Sequence, residues 1–234
     1  MPANSFCIFG RKPLLEAIEG GKTFDKILIQ TGASGAEIEA ILSEARNKNI
    51  PVQKVPREKL DAVTKKYSKF REANHQGVLG FASLVTYQSL DDVIHHVISK
   101  GESPLFLVLD HITDVGNFGA IARSAECFGA HALIIPAKGA AQINAEAIKT
   151  SAGALNKIFV CREGSLITAI KYLKANGIKV VGTDMKRSIP LTAADFTLPT
   201  AIVLGAEGSG ISFDLQKLCD EVVTIPMPGT TESL

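Results

Sequence analysis

The sequence lacks any apolar run long enough to cross a lipid bilayer. The longest candidates, such as Pro104 to Leu109, have the length of a β-strand, whereas a spanning helix needs about 18 to 20 apolar residues. The opening, Met1 to Gly10, contains neither a basic stretch before a long apolar one nor an Arg-rich amphipathic pattern. We therefore expect no membrane insertion and no export signal, and we predict a cytoplasmic location.

Cysteine is scarce, and its spacing is not that of a metal or redox site. Cys7, Cys127, Cys161 and Cys219 stand far apart, with no C-x-x-C pair and no histidine at ligand spacing. Structural zinc and redox-active dithiols depend on such spacings. We therefore expect no metal site and reduced, mostly buried thiols.

The chain also lacks a large excess of one charge, because its net charge is only +1. The distribution is uneven: residues 1–84 hold 13 Lys/Arg against 9 Asp/Glu, a net of +4, and residues 85–234 hold 12 against 15, a net of −3. Residues 54–71 form a local basic patch suited to phosphates. A solvated helix face is the alternative. The basic residues of the patch are Lys54, Arg57, Lys59, Lys65, Lys66, Lys69 and Arg71, against Glu58 and Asp61.

With 46% hydrophobic and 21% charged residues over 234 positions, the chain has the composition of one or two well-cored domains. Residues 1–84 alternate helix and strand patterns, which predicts a small α/β domain ending near Leu84. Ser89 with Asp92 resembles a capping box that opens a short helix to Ser99, within a linker of residues 85–103. The predicted elements before it are helix Arg11 to Glu19, strand Lys26 to Gln30, helix Gly35 to Asn47, strand Pro51 to Val55, helix Arg57 to Lys66 and strand Gly77 to Ala82.

Residues 104–234 contain six continuous apolar runs separated by helical patterns such as Leu166 to Ala175. Continuous apolar strands with intervening helices are typical of a parallel sheet that is covered on both faces. The pattern therefore predicts a second, larger α/β domain. Its predicted strands are Leu105 to Leu109, Ala132 to Ile135, Lys157 to Val160, Lys179 to Val181, Ala201 to Leu204 and Val222 to Ile225.

Ligands bind to such sheets beyond the carboxyl ends of the strands, so the segments that follow strands are the candidate site. Three such segments are rich in glycine or polar residues: residues 110–119, 205–210 and 226–234. Glycine-rich turns expose backbone groups that can grip a flat, nucleoside-like cofactor, although a plain loop explains any one of them. No early G-x-G-x-x-G segment is present, which argues against a dinucleotide-dependent oxidoreductase.

Asn117 and Arg123 lie at the start of one predicted helix. The dipole and unpaired N–H groups of a helix N-terminus favour an anion such as an RNA phosphate, and Arg123 adds a fixed fork of donors. The alternative is a surface ion pair between Arg123 and Glu126.

Three motifs in these segments resemble those of the SpoU (TrmH-type) family, in the SPOUT superfamily of RNA methyltransferases. They are D-x-x-x-D-x-x-N-x-G-x-x-x-R from Asp110 to Arg123, V-L-G-A-E-G-S-G from Val203 to Gly210, and I-P-M-P-G-x-x-x-S-L from Ile225 to Leu234. The opening segment, with Phe9-Gly10 and Asn74-His75-Gln76-Gly77-Val78, is similar to the ribosomal-protein-like RNA-binding domain of the family's 23S rRNA guanosine branch.

The resemblance implies a SPOUT-type parallel sheet with a C-terminal trefoil knot and a homodimer. It also implies S-adenosylmethionine as cofactor and RNA as partner. Backbone groups at Gly205, Ile225, Met227 and Leu234 would hold the cofactor. The methyl-transfer site would be lined by Asn117, Arg123, Glu207 and Ser233.

The implied activity is methylation of a ribose 2′-hydroxyl in structured RNA, with 23S rRNA favoured over tRNA. A catalytically silent RNA-binding protein is the alternative from another class. Because an arginine is nearly always charged, we expect Arg123 to hold a phosphate and stabilise a developing alkoxide, and the general base is left open. Family members continue beyond the Ser-Leu pair with an Asn, a further Ser and a closing helix, so we expect a chain that stops at Leu234 to bind the cofactor poorly.

Overall fold

The computed structural model describes residues 7–67, 74–184 and 189–225. The chain divides into two compact units between Thr86 and Tyr87, two residues beyond the boundary predicted near Leu84.

The first unit is a small α/β domain. Its elements are β1 (Cys7–Phe9), α1 (Arg11–Glu19), β2 (Phe24–Gln30), α2 (Ala36–Asn47), β3 (Val52–Val55), α3 (Arg57–Tyr67) and β4 (Val78–Ala82). The strands form a sheet of order β1-β4-β2-β3, in which β4 is antiparallel to β1 and β2, and β3 is parallel to β2.

Apolar side chains on both faces of this sheet form two cores. Ile27 and Ile29 of β2 pack with α1 and α2, whereas Leu28 faces the opposite side and packs with Leu60 of α3. This alternation follows from the two-residue period of a strand. Gly80 lies where α1 approaches most closely, since a Cβ there would lie 2.5 Å from Cδ1 of Leu14.

The second unit contains a large parallel sheet. Its elements are β5 (Tyr87–Gln88), α4 (Leu90–Ser99), β6 (Leu105–Leu109), α5 (Val115–Cys127), β7 (Ala132–Pro136), α6 (Ala145–Thr150), β8 (Phe159–Glu163), α7 (Leu166–Ala175), β9 (Lys179–Thr183), β10 (Ile189–Pro190), β11 (Thr200–Leu204), α8 (Phe213–Gln216) and β12 (Glu221–Thr224). Among the described residues, the eight strands follow the order β10-β12-β9-β11-β6-β7-β8-β5, and each assigned pair is parallel. The prediction of a parallel α/β fold is confirmed.

Helix α4, which was predicted to lie in a linker, packs on this sheet. Its buried residues Leu90, Val93, Ile94 and Val97 belong to the same apolar core as Phe106 of β6. Its amphipathic pattern therefore serves the core of the second unit. Ser89 stands at the N-cap but its side chain makes no capping hydrogen bond.

Two local features differ from the sequence expectation. Strand β8 begins at Phe159 and not at Lys157, because the chain is still in a turn after the 3₁₀ segment Ala154–Asn156. Helix α6 was not predicted; the Asn144 side chain caps it by accepting from the N–H groups of Glu146 and Ala147.

The trefoil knot stays a prediction, because residues 185–188 and 226–234 lie outside the described part of the chain. Within the described ranges, no helix is both long enough and apolar enough to cross a membrane.

Candidate functional site

Two of the three candidate segments follow neighbouring strands. Strands β6 and β11 lie side by side and in parallel, with Leu109 opposite Leu204, so residues 110–119 and 205–210 leave the sheet at the same edge. Strand β12 ends at that edge as well, with β9 between it and β11. The end of β12 therefore lies two strand spacings, about 10 Å, from the end of β11.

A buried aspartate links the first two segments. The N–H of Asp110 donates to the Leu204 carbonyl at 2.8 Å, and its Oδ2 accepts from the backbone N–H of Ser212 at 2.7 Å. Its Oδ1 accepts from Nδ1 of His111 at 2.6 Å. Asp110 is 3% exposed, and a buried carboxylate is stable only with such partners. The loop after β11 is therefore anchored to the end of β6.

From the sequence, Asp110 was recognised only as the first letter of a motif, and Ser212 was not identified. The position of Asp110 directly after a buried strand could have identified it as a candidate site residue. Ser212 contributes only a backbone N–H, and no sequence pattern predicts that role.

The loop after β11 is a tight, glycine-dependent turn. Ala206 and Gly210 form a β-bridge, with the Gly210 N–H donating to the Ala206 carbonyl at 2.8 Å. A Cβ at position 205 would overlap with the backbone of Gly210 and Ile211, so only glycine fits there. Gly205 therefore shapes the loop, and Glu207 is exposed near its tip.

Helix α5 carries the polar residues of the first motif. Asp114 is its N-cap and accepts from the Asn117 N–H at 2.7 Å. The side chains of Asn117 and Arg123 are exposed, six residues or about 9 Å apart along the axis. The motif glycine Gly119 has a packing role, because a Cβ there would lie 2.7 Å from Cβ of Thr150 in α6.

The alternative ion pair between Arg123 and Glu126 is not formed. Glu126 instead binds Lys157, with Nζ 3.1 Å from Oε1. Arg123 has no ion-pair partner in the ranges that the structure describes. An ion pair with Glu126 therefore does not account for Arg123, whose side chain is exposed.

Of the third motif, Ile225 to Leu234, only Ile225 lies among the described residues. Ile225 follows β12 and is 40% exposed, which places an apolar side chain at the edge that carries the other two segments. Met227, Ser233 and Leu234 lie outside the described residues, so their assignment to the cofactor and methyl-transfer sites stays a prediction.

The cysteines are free, and they are less buried than expected. Cys161 is buried, Cys7 and Cys219 are partly buried, and Cys127 at the end of α5 is exposed. Burial raises the pKa of the Cys7 and Cys219 thiols to about 11 and the pKa of Cys161 to about 12. No cluster of metal-ligating side chains occurs in the described ranges.

Comparison with known proteins agrees with this geometry. The model of the SpoU rRNA Methylase family matches residues 104–234, and a second model, described as RNA 2′-O ribose methyltransferase substrate binding, matches residues 7–88. The Bacillus subtilis protein YacO, assigned to the TrmH family of tRNA/rRNA methyltransferases, is 31% identical over 97% of this chain and 88% of its own length. A TrmH family relative from Staphylococcus saprophyticus is 34% identical with the same coverages.

Solved structures show the same relationship. The SpoU methyltransferase AviRb from Streptomyces viridochromogenes, crystallised with AdoMet, has a TM-score of 0.57 and 26% identity, over 98% of this chain and 83% of that one. The A. aeolicus TrmH/SpoU tRNA modifying enzyme has a TM-score of 0.51 and 28% identity, and it covers 57% of this chain and 68% of its own.

Sheet, motifs and relatives thus define a two-unit methyltransferase. The chain belongs to the SpoU (TrmH) family of RNA methyltransferases.

Proposed function

We propose that this protein transfers a methyl group from S-adenosylmethionine to a ribose 2′-hydroxyl of structured RNA. The observation that carries the proposal is the hydrogen bond from Ser212 to Asp110, which holds the loop after β11 beside the segment leading to Arg123. Family membership and the AdoMet bound to AviRb support the choice of cofactor.

The described residues fit this cofactor. Residues 207–210 of the turn are exposed, and the space beside Gly208 and Gly210 is open, so a ligand can approach the backbone there. The exposed side chain of Ile225 offers apolar contact at the same edge. These groups would hold the adenosine and methionine parts, together with Met227 and Leu234 of the third motif.

S-adenosylmethionine, when bound, supplies a methyl group that is already activated. The protein therefore has to bind the ribose in line with that methyl group and to handle one proton. Arg123 holds a phosphate next to the target nucleotide through its planar fork of donors, and its charge stabilises the oxygen as negative charge develops there. Asn117, Glu207 and Ser233 orient the ribose, and the proton acceptor is not assigned.

We place the preferred substrate among ribosomal RNAs. The first unit matches the substrate-binding model of RNA 2′-O ribose methyltransferases, whereas the A. aeolicus tRNA modifying enzyme covers only 57% of this chain. The protein would act in the cytoplasm as a homodimer formed through the second unit.

Labelled methyl transfer to rRNA and to tRNA tests this function. The full-length protein should label rRNA in a reaction that requires S-adenosylmethionine, and Arg123→Ala should not. Labelling of tRNA alone would show that the substrate is tRNA and not rRNA. RNA binding without any transfer would make the protein a catalytically silent RNA-binding protein.

A further inference from the structure

The first unit contains an open depression of about 1050 Å³. It lies where the start of α1, the segment between β2 and α2, the start of α3 and the residues before β4 meet. Among the described residues, five charged side chains line it: Arg11, Lys12, Glu37, Arg57 and Asp61. Its volume slightly exceeds the roughly 300–1,000 Å³ of ordinary small-molecule sites, so one nucleotide fits inside.

Hydrogen bonds between distant segments connect several residues that line this depression. The backbone N–H of Arg11 donates to Oε1 of Gln76 at 3.1 Å, and its Nε donates to the Gln76 carbonyl at 3.0 Å. Its Nη1 donates to the Ser34 carbonyl at 3.1 Å. Gln76 has a φ of +49°, a conformation that costs a non-glycine residue energy. These hydrogen bonds therefore hold Arg11 and Gln76 in a fixed arrangement.

A buried histidine in the lining, His75, orients one of the carboxylates. His75 is 7% exposed, and its Nδ1 accepts from the Gly77 N–H at 2.9 Å. Because Nδ1 is an acceptor, the ring proton sits on Nε2, which donates to Oδ1 of Asp61 at 2.8 Å. The other oxygen of Asp61 lies 3.8 Å from Nε of Arg57. The Asp61 carboxylate is thus fixed by His75 and remains partly exposed.

The mixture of charges narrows the ligand class. Lys12 and Arg57 suit a phosphate, but a site for phosphate alone would not include Glu37 and Asp61, whose oxygens only accept hydrogen bonds. An unpaired RNA nucleotide carries both partners that this lining needs. Its phosphate is an anion, and adenine, cytosine and guanine bear an exocyclic amino group that donates to a carboxylate.

We propose that this depression binds one unpaired nucleotide of the RNA substrate. Lys12 and Arg57 contact its phosphate, and Glu37 accepts from the exocyclic amino group of its base, with Asp61 beside it. Uracil has no amino group and binds less well. This inference rests on the proposed function, and it adds a base-reading site to the phosphate contacts expected of residues 54–71. Of the described residues, Arg57 and Asp61 belong to both.

Fluorescence anisotropy of the full-length protein with labelled A12, C12 and U12 RNA oligonucleotides tests the proposal. The wild-type protein should bind A12 and C12 about tenfold more tightly than U12. Glu37→Gln should abolish this preference and leave the salt dependence unchanged. Arg57→Gln and Lys12→Gln should weaken binding of all three RNAs equally. Each should also make the negative slope of log K against log salt concentration less steep by about 0.7, because one phosphate contact is lost.

Matched controls lie on α2, outside the depression. Glu39→Gln and Arg46→Gln change the same charges at exposed positions and should bind all three RNAs as the wild type does. If Glu37→Gln keeps the base preference and both cation variants keep the wild-type slope, the depression is not the nucleotide site. A wild-type protein that binds U12 as tightly as A12 and C12 would overturn the proposal as well.

Methyl transfer to rRNA, measured with the same protein variants, separates this proposal from the proposed function. Normal transfer together with variants that bind as the controls do overturns the nucleotide site and leaves the activity intact. Binding that depends on Glu37 and Arg57 without transfer to any RNA overturns the activity and supports the site.

Discussion

The carboxylate of Asp110 accepts a hydrogen bond from the backbone N–H of Ser212 across 102 residues of sequence. One residue at the end of β6 thereby sets the position of the loop after β11. Asp110 is buried and would not touch the substrate, so its role is to position the loop whose backbone we assign to the cofactor.

Asp110→Ala should lower the affinity for S-adenosylmethionine about tenfold. The substitution leaves the Ser212 N–H without its partner, at a cost of about 1–3 kcal/mol. Asp110→Asn keeps an amide oxygen that can accept this bond and should recover part of the affinity. Titration calorimetry of the full-length protein measures both. Asp92→Ala, at an exposed position of α4, is the control. Wild-type affinity in the Ala variant would show that the link to Ser212 does not matter for the cofactor.

Gly205→Ala should abolish cofactor binding, because the added Cβ overlaps with backbone atoms of Gly210 and Ile211. Gly208→Ala is the matched variant in the same turn. Gly208 has a φ of +81° and open space around it, so alanine there should cost only about 1 kcal/mol of stability and spare part of the affinity. Thermal unfolding with and without cofactor compares the two. Equal behaviour of both variants would contradict the role assigned to close packing at Gly205.

Arg123→Ala should lower methyl transfer more than about 100-fold with nearly unchanged cofactor affinity, because Arg123 is assigned to the RNA and the oxyanion. Arg123→Lys keeps the charge but loses the planar fork, so it should recover little activity. Glu126→Gln removes an exposed pair with Lys157 and should leave the rate unchanged. Single-turnover rates decide between these outcomes, and near-normal turnover in Arg123→Ala would remove this residue from the site.

Cys127 should react with a disulfide reagent at pH 8 much faster than the other cysteines. The thiolate is the reactive form, and burial raises the pKa of Cys7 and Cys219 to about 11 and that of Cys161 to about 12, so their thiolates are rare at that pH. Cys127 is exposed. Cys127→Ser should remove the fast phase, and a fast phase that persists in this variant would show that a buried thiol is accessible.

Local sequence signals predicted most of the elements, because each depends on a short pattern. The continuous apolar run from Leu105 to Leu109 is sufficient to predict a buried parallel strand. The sequence analysis ended β8 too early, because Arg162 and Glu163 at its end are polar. In the structure β8 pairs with β5, and the Arg162 guanidinium lies 3.9 Å from the centre of the Tyr87 ring of β5.

Strand order and the site's long-range contacts could not be predicted from the sequence. An apolar run shows that a strand is buried but does not name its neighbours, so the adjacency of β6 and β11 became known only from the structure. The contact of Asp110 with Ser212 depends on that adjacency. The depression in the first unit likewise depends on Arg11 meeting Gln76, 65 residues away.

The chemical position of the transferred methyl group tests the proposed activity most directly. RNA treated with the full-length protein and S-adenosylmethionine is digested to nucleosides, and mass spectrometry then assigns the added methyl group to the sugar or to the base. We predict a methyl group on the ribose of one nucleotide, absent from the Arg123→Ala reaction. A methyl group on the base, or none in any RNA, would contradict ribose 2′-O-methylation by this protein.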